Sequence, residues 1–96
     1  MATFAARRLQ SMIENVAHIL AIEWLAAAQG IEFLRPLQSS PPIEAAHALL
    51  RAECPAMAHD RYLAPDIERA TARINDGSLA RLLRSLPALP ALWIAA

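Results

Sequence analysis

The sequence predicts an all-α chain with one long N-terminal helix followed by shorter helices. Three observations support this fold class. Residues 2–29 contain neither glycine nor proline, apolar residues recur there at three- and four-residue steps, and prolines or glycines separate the later apolar segments. Residues 31–42 alternate only loosely and contain three prolines, so we expect an extended crossing there rather than a strand of a sheet.

The first helix is predicted over residues 2–29, with Gly30 as its C-terminal cap. Its first half is amphipathic, whereas the segment 16–28 has only His18 and Glu23 as polar residues, the pattern of a helix covered on several sides. At 1.5 Å per residue this helix is roughly 42 Å long, while a compact domain of this size is only about 33 Å across. We therefore expect the rest of the chain to leave part of the helix uncovered.

A second helix is predicted over residues 43–53. Ser39 and Ser40 precede it as expected capping residues, Glu44 lies near the positive end of its dipole, and Pro55 ends it. The serines thus predict where the second helix begins, and the proline predicts where it ends.

A third helix is predicted over residues 65–75, with Asp66 placed to stabilise its N-terminus. After a turn, Ser78 is the expected cap of a last short helix over residues 79–86. The apolar tail that follows is interrupted by prolines, so we expect it either to dock on a neighbouring surface through Trp93 or to fray.

Charge and composition exclude several classes of protein. Nine arginines and no lysine balance nine acidic residues, and the net charge of +0 predicts binding to neither nucleic acid nor a membrane. A hydrophobic fraction of 56% exceeds the about 45–50% of an ordinary soluble domain, which indicates surface that meets a partner. The single cysteine and the polar residues within the first apolar segment indicate a cytoplasmic chain without a signal peptide.

The metal-ligand residue types do not occur in a recognisable pattern. His18, His47, His59 and Cys54 lack the spacing of a zinc helix, and no CxxC occurs, so we predict no metal site. His18 is expected to be a hydrogen-bonded interior histidine and His47 a half-buried helix residue. Cys54 has no base beside it in sequence and is expected to act as a small hydrophobic residue.

Residues 59–62, with the sequence His-Asp-Arg-Tyr, form the one cluster rich in functional side chains. We favour a structural role for it, in which capping, ion pairing and a packed Tyr62 fix the entry into the third helix. Glu14 and Glu23 are nine residues apart, or about two and a half helical turns. They therefore lie on opposite sides of the first helix and do not form an acid–base pair.

Three segments read together resemble the C-terminal part of the histidine ammonia-lyases, members of the aromatic amino acid ammonia-lyase family. They are MATFAARRLQSMIENVAHILAIEWLAAAQGIEF, RPLQSSPPIEAAHALLR and DRYLAPDIE. The resemblance is strongest over residues 1–82, and the stretch from Leu83 onwards does not match it. On this basis residues 1–96 are one helical segment of a larger helical-bundle enzyme.

The resemblance implies a homotetrameric enzyme that removes ammonia from L-histidine to give urocanate. Its electrophile is a methylidene-imidazolone formed from an Ala-Ser-Gly tripeptide, which does not occur in these 96 residues. The catalytic residues of the family belong to upstream segments, so the resemblance implies no catalytic, cofactor-binding or metal-binding residue here and no catalytic role for Tyr62. The implied partners are the remainder of the lyase chain and neighbouring subunits, and this chain is expected to be inactive alone.

Two other interpretations stay open. The chain could be a stand-alone helical module that binds a partner, or itself, through the exposed face of its first helix. It could also complement a separate polypeptide that carries the upstream part of the enzyme.

Overall fold

The structure, a computed structural model, describes residues 1–86, and this range forms helices joined by turns and loops. The predicted all-α class is confirmed. The predicted docking or fraying of the tail around Trp93 lies outside the described residues. In chain order the helices are α1 (Ala2–Glu32), α2 (Pro41–Arg51), α3 (Ala64–Asn75) and α4 (Ser78–Ser85).

Helix α1 continues through Gly30 and ends at Glu32, so the prediction that Gly30 caps the helix is wrong. A C-terminal glycine cap requires a left-handed backbone, and Gly30 has no positive φ. With 31 residues, α1 is about 46 Å long. Even so, none of the helices within residues 1–86 has the combined length and hydropathy needed to cross a membrane.

The connection from α1 to α2 consists largely of turns, which corrects the predicted extended crossing. The Leu34 N–H donates to the Ile31 carbonyl at 3.0 Å, and the Leu37 N–H donates to the Leu34 carbonyl at 3.0 Å. Only the last residues before α2, numbers 38–40, are without a turn or bend. The connection is therefore a compact series of turns.

The predicted capping of α2 by the hydroxyls of Ser39 and Ser40 is also wrong. Ser40 is the N-cap residue, but its side chain makes no capping hydrogen bond. Two prolines, Pro41 and Pro42, open the helix and have no N–H to donate to such a cap. The carboxylate of Glu44 instead accepts a hydrogen bond from the Ser39 N–H at 2.8 Å.

Helix α3 has the predicted extent to within one residue, since it runs from Ala64 to Asn75. The turn that follows it differs from the prediction, because Gly77, with a φ of 81°, is the N-cap residue of α4. Ser78 is therefore the first residue of α4 rather than its cap. Asp76 supplies the local side-chain acceptor, since its Oδ1 accepts hydrogen bonds from both the N–H and the hydroxyl of Ser78.

The core lies at the C-terminal half of α1, which packs mainly against α3, while α4 contacts both α2 and α3. Residues 1–16 of α1 are exposed along their whole length. The radius of gyration of 16.3 Å exceeds the about 13 Å of a compact domain of 100 residues. The prediction that part of the first helix stays uncovered is confirmed for residues 1–86. The buried core residues are Ala21, Ala28, Leu50, Cys54 and Ala70, with Trp24, Leu25, Ile67 and Ile74 packed against them.

Candidate functional site

The His-Asp-Arg-Tyr cluster at residues 59–62 is organised around Arg61. The Arg61 guanidinium donates to Asp66 Oδ2 from Nε at 3.1 Å and from Nη2 at 2.6 Å. It also donates to the carbonyls of Pro55 at 2.8 Å and Ala56 at 3.3 Å. Asp66 is only 3% exposed, and the ion pair ties the loop to the start of α3, as the structural interpretation predicts.

The predicted packing of Tyr62 at this helix entry is wrong, because its side chain is 82% exposed. His59 and Asp60 are exposed as well. Arg61, rather than the aromatic side chain, is the member of the cluster directed at α3. The cluster therefore fixes a loop and does not gather functional groups around a common cavity.

The histidines have different surroundings. His18 is exposed on α1, which corrects the prediction of an interior hydrogen-bonded histidine, because its side chain lies off the face of α1 that the described chain buries at Ala17, Ala21 and Ala28. His47 is half-buried, as predicted. Its Nε2 lies 2.7 Å from Glu32 Oε1, which joins α2 to the end of α1.

Glu32 is a contact residue that the sequence analysis missed. Its Oε1 accepts a hydrogen bond from Arg51 Nε at 3.1 Å in addition to the contact with His47. The hydrogen bond from Arg51, followed by that from His47, lowers the pKa of Glu32 below its ordinary value. The partners are 19 and 15 residues away in the chain, so no local sequence pattern could have identified the cluster.

Cys54 is buried in the core with 1% of its surface exposed. Its thiol donates to the Asp66 carbonyl across an Sγ–O distance of 3.7 Å. Burial raises the pKa of the Cys54 thiol, which keeps it in the protonated, weakly nucleophilic form. The prediction that Cys54 acts as a small hydrophobic residue is confirmed.

Two apolar grooves flank α1. The α1–α3 groove has a volume of about 440 Å³, and the α1–α2–α4 groove one of about 340 Å³. Arg51 and Arg61 are the charged residues at the first groove, and their guanidiniums are held by Glu32 and Asp66. The apolar residues that define the α1–α3 groove are Leu25, Phe33, Met57, Leu63 and Ile67. Those that define the α1–α2–α4 groove are Trp24, Ala28, Ile31, Ile43, Ala46 and Leu83.

The largest uncovered feature is a row of apolar side chains along the first two-thirds of α1, here called the α1 stripe. Its six members recur at steps of three, one, three, three and one residues, so they share one face of the helix. Each is between 50% and 59% exposed, and exposed apolar patches are typical of surfaces that bind another protein, a membrane or a ligand. The α1 stripe consists of Leu9, Met12, Ile13, Val16, Ile19 and Leu20.

The arrangement of these side chains favours a role in packing rather than in catalysis or metal binding. Within residues 1–86, no group of three or more His, Cys, Asp or Glu side chains is arranged to hold a metal ion. The carboxylates of Glu32, Glu44 and Asp66 join helices or loops through arginines. The candidate functional site of the described residues is therefore an interaction surface made of the α1 stripe and the two grooves.

Comparison with known proteins shows that this chain is similar to proteins named histidine ammonia-lyase. The chain is 61% identical over 75 residues to a histidine ammonia-lyase of Vibrio cholerae, which covers 78% of this chain and 15% of that protein. It is 51% identical over 84 residues to that of Pseudoalteromonas atlantica, covering 88% of this chain and 16% of that protein. It is also 51% identical over 88 residues to that of Roseobacter denitrificans, covering 92% of this chain and 17% of that protein.

The chain thus spans about one sixth of the length of the curated relatives that it matches. Residues 1–52 match the sequence model of a family described as aromatic amino acid lyase. This match includes the whole of α1 with its apolar stripe and all of α2. Since it extends over more than half of the 96 residues, the chain belongs to the aromatic amino acid lyase family.

Proposed function

We propose that the chain forms part of the C-terminal region of a histidine ammonia-lyase, where it supplies helical packing and subunit contacts. The observation that carries this proposal is the α1 stripe, a long apolar row that the described chain does not cover. Its location on the family-matched segment 1–52 supports a partner within the same enzyme. The enzyme would release ammonia from L-histidine to give urocanate in the cytoplasm, as a step of histidine catabolism.

The partners in this proposal are the remainder of the lyase chain and the neighbouring subunits of a homotetramer. The apolar α1–α3 groove, with a volume of about 440 Å³, supports a polypeptide partner there.

The chain by itself is proposed to be catalytically inactive. The residues present do not fit a site for the methylidene-imidazolone group, because the Ala-Ser-Gly tripeptide that forms it does not occur in the 96 residues. The charged side chains that line the α1–α3 groove are arginines already bound to carboxylates, and most of the others are apolar. The protonated, buried thiol of Cys54 offers no replacement for an electrophile.

A chimeric enzyme tests the proposal. In the histidine ammonia-lyase of Vibrio cholerae, the 75 aligned residues are replaced by the matching 75 residues of this chain. We expect the chimera to assemble as the parent enzyme does and to form urocanate from L-histidine, followed by its absorbance. A chimera that fails to assemble, or that assembles without turnover, would contradict the proposal.

The oligomeric state and the unfolding of the isolated chain distinguish this role from that of a stand-alone interaction module. A module is expected to form one defined oligomer and to unfold in a single cooperative transition. A segment of a larger enzyme is expected to be helical but to associate without a defined stoichiometry through its α1 stripe, or to unfold gradually. Sedimentation velocity and thermal circular dichroism measure both properties, and urocanate formation by the isolated chain above the blank would contradict its proposed inactivity.

A further inference from the structure

Four members of the α1 stripe have the spacing of a helix that pairs with another helix. Leu9, Met12, Val16 and Ile19 follow one another at steps of three, four and three residues, the spacing of the apolar positions in a heptad repeat. Each is at least half exposed. We propose that a second copy of this chain binds the α1 stripe through its own stripe, with the two α1 helices antiparallel. The inference rests on the proposed role of the stripe in subunit contacts and names the partner.

The four positions are symmetric about residue 14. Met12 and Val16 lie two residues on either side of it, and Leu9 and Ile19 lie five residues on either side. An antiparallel pair with its two-fold axis at this point places Leu9 of one copy against Ile19 of the other. Met12 likewise meets Val16, so the surface is complementary to itself, as a two-fold contact requires. The Glu14 side chain is about 200° around the helix from Val16 and does not face the axis.

Charges at the ends of the stripe favour the antiparallel direction. Glu23 is exposed and continues the spacing, four residues after Ile19. In a parallel pair the two Glu23 carboxylates would face each other, which is unfavourable. In the antiparallel pair Glu23 meets the small side chain of Ala5, nine residues from the same axis, and Arg8 lies within one turn of Ala5. The exposed guanidinium of Arg8 is thus placed to pair with Glu23 of the other copy at both ends.

The area of the contact is sufficient for a specific pair. Six side chains that are each about half exposed offer about 600 Å² in one copy. Two stripes together would bury about 1,200 Å², the lower end of the range for specific interfaces. The buried residues Ala17, Ala21 and Ala28 lie about 120° around α1 from the middle of the stripe, so a second copy and the core occupy different faces of the helix.

Disulfide cross-linking of the full 96-residue chain tests the pairing. One sample carries Leu9→Cys, a second sample, distinguished by a tag, carries Ile19→Cys, and the two are mixed under mild oxidation. We expect mixed dimers in preference to dimers of either variant alone. The antiparallel pair brings position 9 against position 19, whereas it holds position 9 about 15 Å along the axis from position 9 of the other copy, too far for a disulfide. The cross-links report the register of the pair whatever the number of copies in an assembly.

The matched control for this measurement is Ser11→Cys mixed with His18→Cys. Both positions are exposed on α1 and lie off the stripe, so this mixture should give little mixed dimer. The parent chain is the blank, because its one cysteine, Cys54, is buried.

An exchange of charges tests the direction of the pair independently. Glu23→Arg should lower the yield of mixed dimer about threefold or more, because it places like charges together at both ends of the pair. Adding Arg8→Glu should restore the yield, since the opposite charges then meet again. Glu14→Arg makes the same change of charge off the stripe and should leave the yield unchanged.

Three results would overturn the inference. Dimers of each single variant in place of mixed dimers would indicate parallel pairing, an equal yield from the control mixture would indicate unspecific association, and an absence of cross-links would mean that a second copy does not cover the stripe. The chimeric enzyme tests the enzymatic role separately. If it assembles and turns over while any of these results is found, only the partner named here is contradicted. Mixed dimers together with an inactive chimera would support the pairing and contradict the enzymatic role.

Discussion

Glu44 and Arg35 form a two-bond ion pair that closes the turn between α1 and α2. Arg35 Nη1 donates to Glu44 Oε1 and Nη2 donates to Oε2, each at 2.8 Å. The same carboxylate accepts the Ser39 N–H at 2.8 Å. Glu44 also lies in the first turn of α2, near the positive end of the helix dipole. One side chain thus fixes the connection between α1 and α2 and stabilises the helix that follows it.

The Glu44 contact predicts a dependence of stability on pH. Hydrogen bonds from Arg35 and then from the Ser39 N–H lower the pKa of Glu44 from 4.5 to about 2. Because the folded-state pKa is depressed, the stabilisation is fully present above the unfolded-state value and is lost as the pH falls through about 2. We therefore expect Glu44→Gln to lower the urea midpoint of the helical signal at neutral pH but not near pH 2.

The control for this measurement is Glu68→Gln, which changes an exposed carboxylate of α3. Its urea midpoint should differ little from that of the parent chain at neutral pH. A Glu44→Gln variant as stable as the parent at pH 7, or an equal loss at both pH values, would show that the ion pair does not contribute as described.

Substitution of the buried acceptor Asp66, in the first turn of α3, is expected to lower stability more than substitution of the exposed Asp60 in the preceding loop. Asp66 accepts from Arg61 and from Arg69, the latter at 3.1 Å. Asp66→Asn removes the charge that both arginines share and should destabilise the chain by about 1.5–3 kcal/mol. Asp60→Asn, at an exposed position, should change stability by no more than about 0.5 kcal/mol. Urea unfolding followed by circular dichroism compares the two, and equal effects would contradict this assignment.

The two glycines of the chain predict opposite responses to the same substitution. Gly30 lies inside α1, and a Cβ atom built on it has no heavy atom within 4 Å. Gly30→Ala should therefore stabilise the helix by about 0.5–1 kcal/mol. Gly77 has a φ of 81°, and an added Cβ would lie 3.1 Å from Arg81 Nη1, so Gly77→Ala should destabilise by about 1–2 kcal/mol. Urea midpoints that move in the same direction would contradict the two backbone assignments.

Much of the fold follows from local sequence signals. The apolar spacing and the prolines predict the four helices of the described range to within a few residues. Gly30 was misread because glycine permits a left-handed cap but does not require one. The serine caps were misread although Pro42, at the second helical position, lacks one of the two N–H groups that such caps bind.

The contacts between elements were less predictable. Asp66 was expected to stabilise a helix N-terminus, a local role, and its burial between two arginines depends on the loop that brings Arg61 to it. The contact of Glu32 with His47 joins helices whose packing no residue spacing specifies. That residues 1–86 leave much of α1 uncovered was predictable, because it follows from the length and composition of α1 alone.

The central claim is that the α1 stripe packs inside a histidine ammonia-lyase, and the chimeric enzyme tests it most directly. Val16→Asp puts a charge in the stripe, whereas the control Asn15→Asp puts it at an exposed polar position beside it. Burial of a valine contributes about 1.5–3 kcal/mol, and a loss of that size weakens a contact at least about tenfold.

We predict that the chimera with Val16→Asp loses its assembled state in sedimentation and its urocanate production. The chimera with Asn15→Asp should retain both. Equal assembly and equal turnover in the two variants would contradict the claim, because the stripe would then not be buried in the enzyme.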